Sequence, residues 1–497
     1  MILVLVAASA RNASSVESMD VKESVDKRSV LAVVVVGVLM AAIDTTIVIL
    51  ALPTIDTYFH TSPTISIWII MAYILVLTVL SAQVGKIGDR FGRAKMYNYG
   101  FLVFIVGSAL CGLSTSIFML IGARVLQAVG GAFLSTNSSA VVSDHFEPHE
   151  RGKAFGYTGM GWNMGAILGI FLGGALTSID WRLIFLINVP IGAIALPIAF
   201  RKVKDVIKKK KEKYDIAGSI ILGVALTLLT IMAIFAMTEG LTPHIVEFLG
   251  VAAALFAAFG IMQRREKAPT IDPSIFKNRV FTLSVLAGTF QFMATFAVLF
   301  ILILYLQGVR SLSPLMSSLY LLPGYVVGGL LAPVSGRLSD RIGARIPATA
   351  GLLLIAFAYL LYITLLTPTS PLYYILIITL FTGLGSALFF PSNTSAIMAN
   401  APKDKYGMAS GVNRLLNNVG MVLSFVFALT IISIAIPRNV ALAIFAGTQI
   451  GVASTAGFGA AFTKGLDAAL LISIVIILIA VVMSAVRGKE DRRAPTQ

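Results

Sequence analysis

The sequence predicts an all-α integral membrane protein with fourteen transmembrane helices. They form two parallel six-helix bundles with two extra helices between them in the chain, and both termini lie in the cytoplasm. Three observations carry that expectation: a composition too apolar for a soluble protein, fourteen apolar stretches of spanning length, and a set of glycine and polar positions that recurs in order in the second half of the chain.

Of the 497 residues, 57% are apolar and 12% charged, against roughly 45–50% and about 25% in soluble proteins. A spanning helix needs about 20 apolar residues, because the hydrocarbon is about 30 Å thick and a helix rises about 1.5 Å per residue. Such stretches lie near 29–51, 66–85, 97–115, 118–143, 153–177, 183–200, 214–237, 244–263, 280–307, 314–336, 346–366, 371–398, 406–434 and 466–486. Helices are required because lipid offers no partner to a backbone N–H or C=O. The organisation read from these stretches is a tail (1–28), a bundle (29–201), a basic linker with the extra pair (202–279), a second bundle (280–486) and a tail (487–497). The first ten residues, MILVLVAASA, lack the basic start of a signal sequence and are too few to span; Met19 would open a normal polar tail. Segment 435–465, apolar and glycine-rich, reads as an outer loop with some helix.

The formal net charge is +15, and its placement explains it. With the N-terminus inside, the inner loops and tails hold 32 of the 38 Lys and Arg, the outer loops hold four, and Arg124 and Arg414 fall within spans. This is the positive-inside asymmetry, and it accounts for the basic balance without nucleic acid. The run RKVKDVIKKKKEK (201–213) then lies beside the membrane, where it sets topology and meets anionic lipid. A single cysteine, Cys111, excludes an internal disulfide and reads as a small core residue. His60, His145, His149 and His244 lie in loops or at span ends, and no phosphate-binding loop or nucleophile–base set occurs. No metal, cofactor or catalytic function is expected.

The stretch GKIGDRFGRAK (85–95) breaks this greasy chain with five charges, and GRLSDRIGAR (336–345) is its weaker copy. Gly85, Asp89, Arg90 and Gly92 align with Gly336, Asp340, Arg341 and Gly343 at an offset of 251 residues. Gly152, Ala154, Gly156, Asn163 and Gly165 align with Gly407, Ala409, Gly411, Asn418 and Gly420 at 255, and Asn137, Ser139 and Ala140 with Asn393, Ser395 and Ala396 at 256. Ordered matches at nearly one offset indicate duplication. Both copies face the cytoplasm, so the halves are parallel repeats, an arrangement that places a substrate between them near the midplane.

Here the residues resemble the major facilitator superfamily. Gly85, Asp89, Arg90, Gly92, Arg93 and Lys95 are similar to its signature between the second and third helices, and the central extra pair resembles its fourteen-helix drug–proton antiporter family. IDTTIVILALP (43–53) resembles that family's first-helix signature, with Ile49 where Asn is common; WRLIFLINVPIG (181–192) resembles the start of its sixth helix. The resemblance implies alternating access, with the knot latching the halves in the outward-facing state. The gating set is then Gly85, Asp89, Arg90, Gly92, Arg93, Asp340 and Arg341, against a plainer reading as positive-inside anchoring. Asp89 sits at a tight turn, where its carboxylate can cap a helix N-terminus, and Arg90 and Arg93 can reach carboxylates or lipid phosphates.

Asp44 lies deep in the first span. A charge there costs about 2.5–3.5 kcal/mol, so it should face a cavity or a partner. It is read as the proton-coupling or cation-recognising carboxylate, or else as a structural acid bonded to Thr45, Thr46 or a neighbouring helix. Arg124 and Gln127 share a face of span four, being three apart, and with Gly130 and Gly131 they resemble the family's fourth-helix pattern; by lowering the proton affinity of a nearby acid Arg124 would serve a proton relay, and a static interhelix pin is the alternative. Arg414, with Asn413, Asn417 and Asn418, forms a second polar cluster that lines the cavity or packs helices. Gly161, Gly165, Gly169 and Gly173, followed by Gly174, leave one face of span five bare for close helix approach; this resembles the antiporter signature, with Ile170 in place of its proline. Phe290, Phe292, Phe296, Phe389, Phe390 and Trp162 lie in spans that would line the cavity.

The expected function is secondary active transport in the cell membrane: proton-coupled export of hydrophobic or cationic organic compounds by a monomer in contact with lipid. The alternatives are a carrier for one metabolite and a membrane sensor that binds without transporting.

Overall fold

The computed structural model describes residues 26–61, 63–66, 68–206, 215–240, 242–266, 268–432 and 458–488. Fourteen long helices follow one another: α1 (Lys27–Phe59), α2 (Trp68–Phe91), α3 (Arg93–Gly112), α4 (Ile117–His145), α5 (Arg151–Thr177), α6 (Asn188–Lys202), α7 (Ile216–Thr238), α8 (Pro243–Arg265), α9 (Arg279–Leu304), α10 (Pro314–Ile342), α11 (Arg345–Leu365), α12 (Tyr373–Ala399), α13 (Tyr406–Ile432) and α14 (Phe458–Val486). Thirteen helices among the described residues are long and apolar enough to cross a membrane; α13, 27 residues long, is not one of the thirteen and carries the Arg414 cluster. Starts are set by local chemistry. Ser116, Thr242, Asn278 and Ser313 each accept a backbone N–H of the first turn of α4, α8, α9 and α10, satisfying donors that the helix itself leaves free.

Helices α1–α6 and α9–α14 build two bundles with matching internal packing: α1 lies on α5 as α9 lies on α13, α2 on α4 as α10 on α12, and α3 on α4 as α11 on α12. The bundles meet along two seams, α5 on α10 and α13 on α2. Exchanging the repeats turns one seam into the other, so the halves are related by a pseudo-two-fold with like orientation. The extra pair α7–α8 covers only the α2–α13 seam, where Leu222, Leu226 and Phe259 close over Ala82 and Leu415. One apolar cluster is confined to the second bundle. Another joins the cytoplasmic ends of both, from Val30 and Tyr97 to Phe281 and Met408.

The bare face of α5 is used in full. A Cβ on Gly161, Gly165, Gly169 or Gly173 would run into Val35, Leu39, Ile43 or Ile47 of α1, mostly at the backbone carbonyl. Spacing of four residues keeps these glycines on one stripe, so α1 and α5 approach to backbone contact. Gly174 lies off that stripe, toward Leu315 of α10.

Three sequence expectations change. The knot at 85–95 is not a loop: α2 runs through Asp89 to Phe91, and the chain reverses at Gly92 alone, whose φ of 108° suits only glycine. Gly343, with φ of 95°, does the same after α10. The last part of the supposed outer loop, from Phe458, is already α14, which places Asp467 well inside a helix rather than at its end. The termini before Asp26 and after Gly488, the lysine run from 207 and segment 433–457 lie outside the described residues.

Packing predicts contrasting glycine substitutions. Gly169→Ala should destabilise by about 1–3 kcal/mol through overpacking, whereas Gly250→Ala, with nothing within 4 Å, should be neutral or mildly stabilising through helix propensity. Melting temperatures of the two purified variants check this.

Candidate functional site

Asp44 is fully buried, and its partners come from α4. Arg124 Nη1 donates to its Oδ2 at 2.7 Å and Gln127 Nε2 to its Oδ1 at 2.8 Å. Arg124 Nη1 also reaches Gln127 Oε1 at 2.6 Å, and Arg124 Nε donates to the Ile69 carbonyl at 3.0 Å. Gln127 Nε2 meets Ser108 Oγ of α3 at 2.5 Å, and the guanidinium lies 4.2 Å above the Tyr73 ring. One acid thus ties together the first four helices. Thr45 and Thr46 bond to carbonyls of their own helix instead, so the structure places Asp44 against a neighbouring helix. Three-residue spacing aims Arg124 and Gln127 at the same target. Removing one partner of such a buried pair strands a charge and costs about 3–5 kcal/mol. Tyr73 and Ser108 carry no signal in the sequence beyond being polar residues in apolar runs.

A cavity of about 170 Å³ lies between the bundles. Trp162, Phe292, Phe296, Phe389 and Phe390 line it as expected, with Asn413, Arg414 and Asn417. Two members of the expected sets go elsewhere. Phe290 packs into the core of the second bundle, and Asn418 turns to Ser81 Oγ of α2 at 3.4 Å. Asp44 is not on the wall; among the described lining residues Arg414 is the one charged side chain.

At the cytoplasmic end the two repeat-related acids cross over. Asp89, in the last turn of α2, accepts the backbone N–H groups of Gly407 and Met408 at 2.8 and 2.7 Å. Asp340, in the last turn of α10, accepts those of Gly152 and Lys153 at 2.8 and 2.9 Å. Each carboxylate therefore caps a helix N-terminus of the opposite bundle, α13 and α5, where free donors and the helix dipole favour an anion. The repeated glycines make the approach possible: a Cβ on Gly85 would strike the Gly407 carbonyl, and one on Gly336 the Gly152 carbonyl.

The cation of this latch is Arg93, not Arg90. Arg93 Nε donates to Asp89 Oδ1 at 2.6 Å, Nη1 to Asp144 Oδ1 at 2.5 Å and Nη2 to the Lys403 carbonyl at 3.0 Å. Its guanidinium and that of Arg151 both lie over the Tyr406 ring, at 5.4 and 5.0 Å. Arg90 stacks over its neighbour Phe91 and, among the described residues, holds no carboxylate. Being buried at the turn, Arg93 can point inward, whereas Arg90 is on the outer side of the last helical turn. Arg341 ends α10 beside Asp340. Asp144, Arg151 and Tyr406 were hidden in the sequence because their contacts join distant segments. Nearby, Lys27 Nζ bonds Glu150 Oε2 at 2.7 Å, which holds that carboxyl below its usual range.

Losing either crossed cap should favour separation of the cytoplasmic ends by about 0.5–2 kcal/mol. Spin-label distances between the cytoplasmic ends of α2 and α13 should lengthen in Asp89→Ala and in Asp340→Ala, and further in the double variant. Arg90→Ala should leave the distribution as in the parent.

The profile of the Major Facilitator Superfamily matches residues 34–425. The riboflavin transporter RibZ of Clostridioides difficile is 32% identical over 401 residues, covering 80% of this chain and 86% of that protein. The multidrug resistance protein Stp of Mycobacterium tuberculosis is 31% identical over 398 residues, covering 78% and 73%. The solved proton:xylose symporter XylE has the same fold, with a TM-score of 0.62 at 13% identity over 92% of this chain and 94% of that one. With its paired bundles and these relatives, the chain belongs to the Major Facilitator Superfamily and is a multi-pass membrane transporter.

Proposed function

We propose that this transporter exports hydrophobic organic compounds in exchange for protons, with Asp44 as the carboxylate that loads and releases the proton. The observation that carries this reading is the fully buried Asp44–Arg124 pair at 2.7 Å. Ionised Asp44 engages Arg124 and Gln127; a proton on it cancels the attraction and frees the guanidinium, so the packing of α1 against α4 depends on protonation. One proton moving inward across 100 mV supplies about 2.3 kcal/mol, which drives export against a gradient. The cavity supports the hydrophobic rather than the cationic substrate class, because its wall offers aromatic rings and, among the described residues, no carboxylate. Asp89, Asp340 and Arg93 act as the cytoplasmic gate, on glycines 85, 92 and 336; the caps hold it shut until the bundles rock.

A second reading, a carrier for one aromatic metabolite, is favoured by the likeness to a protein named as a riboflavin transporter. Flux of a lipophilic dye in inverted vesicles tests the proposal. The parent should accumulate dye in a manner abolished by an uncoupler, and Asp44→Asn should lose that component, by about a hundredfold if the barrier rises by the roughly 3 kcal/mol of a broken pair. Uncoupler-resistant flux, or full activity in Asp44→Asn, would sink the coupling role. Competition by one compound among a broad panel would favour the single-metabolite carrier.

A further inference from the structure

We infer that the cavity takes an aromatic organic anion, whose carboxylate or phosphate pairs with Arg414 while its rings lie among the aromatic side chains of the wall. This deepens the substrate reading above and rests on the cavity being the substrate site.

The inference starts from a contrast between arginines. Arg124, Arg93 and Arg151 are each bonded to acids or carbonyls. Arg414 lies on the cavity wall, its Nε is buried without a hydrogen-bond partner, and among the described residues no carboxylate pairs with it. Its guanidinium lies over the Trp162 ring, 5.3 Å away. Guanidinium does not lose its proton in proteins, so the positive charge persists in the middle of the span. A charge there is tolerated when it faces a water-filled cavity or a partner, and such residues mark substrate pathways. The partner it lacks among the described residues is an oxyanion.

The neighbours suit the same ligand. Asn413 and Asn417 stand beside Arg414 on α13 and line the same wall, and the NH2 of a side-chain amide can donate to a bound oxyanion. Trp162 comes from the first bundle, and Phe292, Phe296 and Phe390 from the second. A ring held between them touches both halves, as a substrate of alternating access must. Guanidinium matches carboxylate and phosphate in a two-pronged geometry that lysine cannot copy. A cation would meet an uncompensated positive charge instead. Export of an anion is also favoured by an inside-negative potential, in the same direction as proton entry.

Equilibrium binding to the purified protein in nanodiscs tests this without any gradient, so its outcome is independent of proton coupling. Carboxyfluorescein serves as the aromatic anion and tetramethylrhodamine ethyl ester as a cation on the same xanthene ring, both read by anisotropy. The parent should bind the anion at least about tenfold more tightly, and Arg414→Gln should lose about that factor for the anion while the cation is unaffected or gains, as expected for a lost charge-assisted pair. Arg414→Lys should restore part of the affinity, and anion binding should quench tryptophan emission less in Trp162→Phe. Methylumbelliferyl phosphate and coumarin carboxylate, as competitors, show which oxyanion is preferred. Tighter cation than anion binding by the parent overturns the inference whether or not the variants fold. So does unchanged anion affinity in a folded Arg414→Gln. Selective anion binding together with uncoupler-resistant flux would instead sink proton coupling and leave this inference standing.

Discussion

The closed cytoplasmic end depends on a reciprocal exchange of helix caps. Asp89 from the first bundle satisfies the N-terminus of α13 in the second, and Asp340 from the second satisfies α5 in the first. A helix N-terminus has free donors and a positive dipole end whatever its sequence, so an acid from across the seam binds it strongly only if the backbones come close. The glycine pairs Gly85–Gly407 and Gly336–Gly152 permit that approach. Because the two caps are related by the pseudo-two-fold, rotating the bundles apart breaks both together.

The membrane interior applies a second constraint, that every charge needs an answer. Arg124 is answered three times over, by Asp44, Gln127 and a carbonyl of α2. Arg414 lies over an aromatic face, and among the described residues no carboxylate pairs with it. The two arginines occupy spans four and thirteen, one in each bundle. One is thus built into the scaffold and the other is left for the cavity. The division of labour follows from which bundle supplies an acid at mid-depth: among the described residues the first bundle has Asp44, and no acid lines the cavity beside α13.

The spans were legible because lipid leaves the backbone no choice but helix, and apolar runs of the required length are conspicuous. The glycine stripe of α5 was legible because a period of four is a helical face. The pairing of Arg124 with Gln127 was legible for the same reason, and Asp44 stood out as a buried acid needing company. The knot was half legible. Its repeat and its acid pointed to a cap, but Arg90 and Arg93 look alike in the sequence, and only the reversal at Gly92 turns Arg93 inward. Phe290 and Phe292 likewise differ by two positions and so by just over half a helical turn, which sends one into the core and the other to the cavity.

By itself, then, the sequence determined the helices, the orientation of the chain and the duplication, since these follow from hydropathy, from where the basic residues lie and from matching positions at one offset. Tertiary structure alone decided who meets whom: that Asp89 caps a helix 318 residues away, that Asp44 binds α4 rather than its own threonines, and that Arg414 faces a cavity with no acid among its described lining residues. The reason is physical. Periodicity fixes which face of its own helix a side chain occupies, but a contact between bundles depends on how closely and at what register two helices cross, and that is set by the packing of the whole.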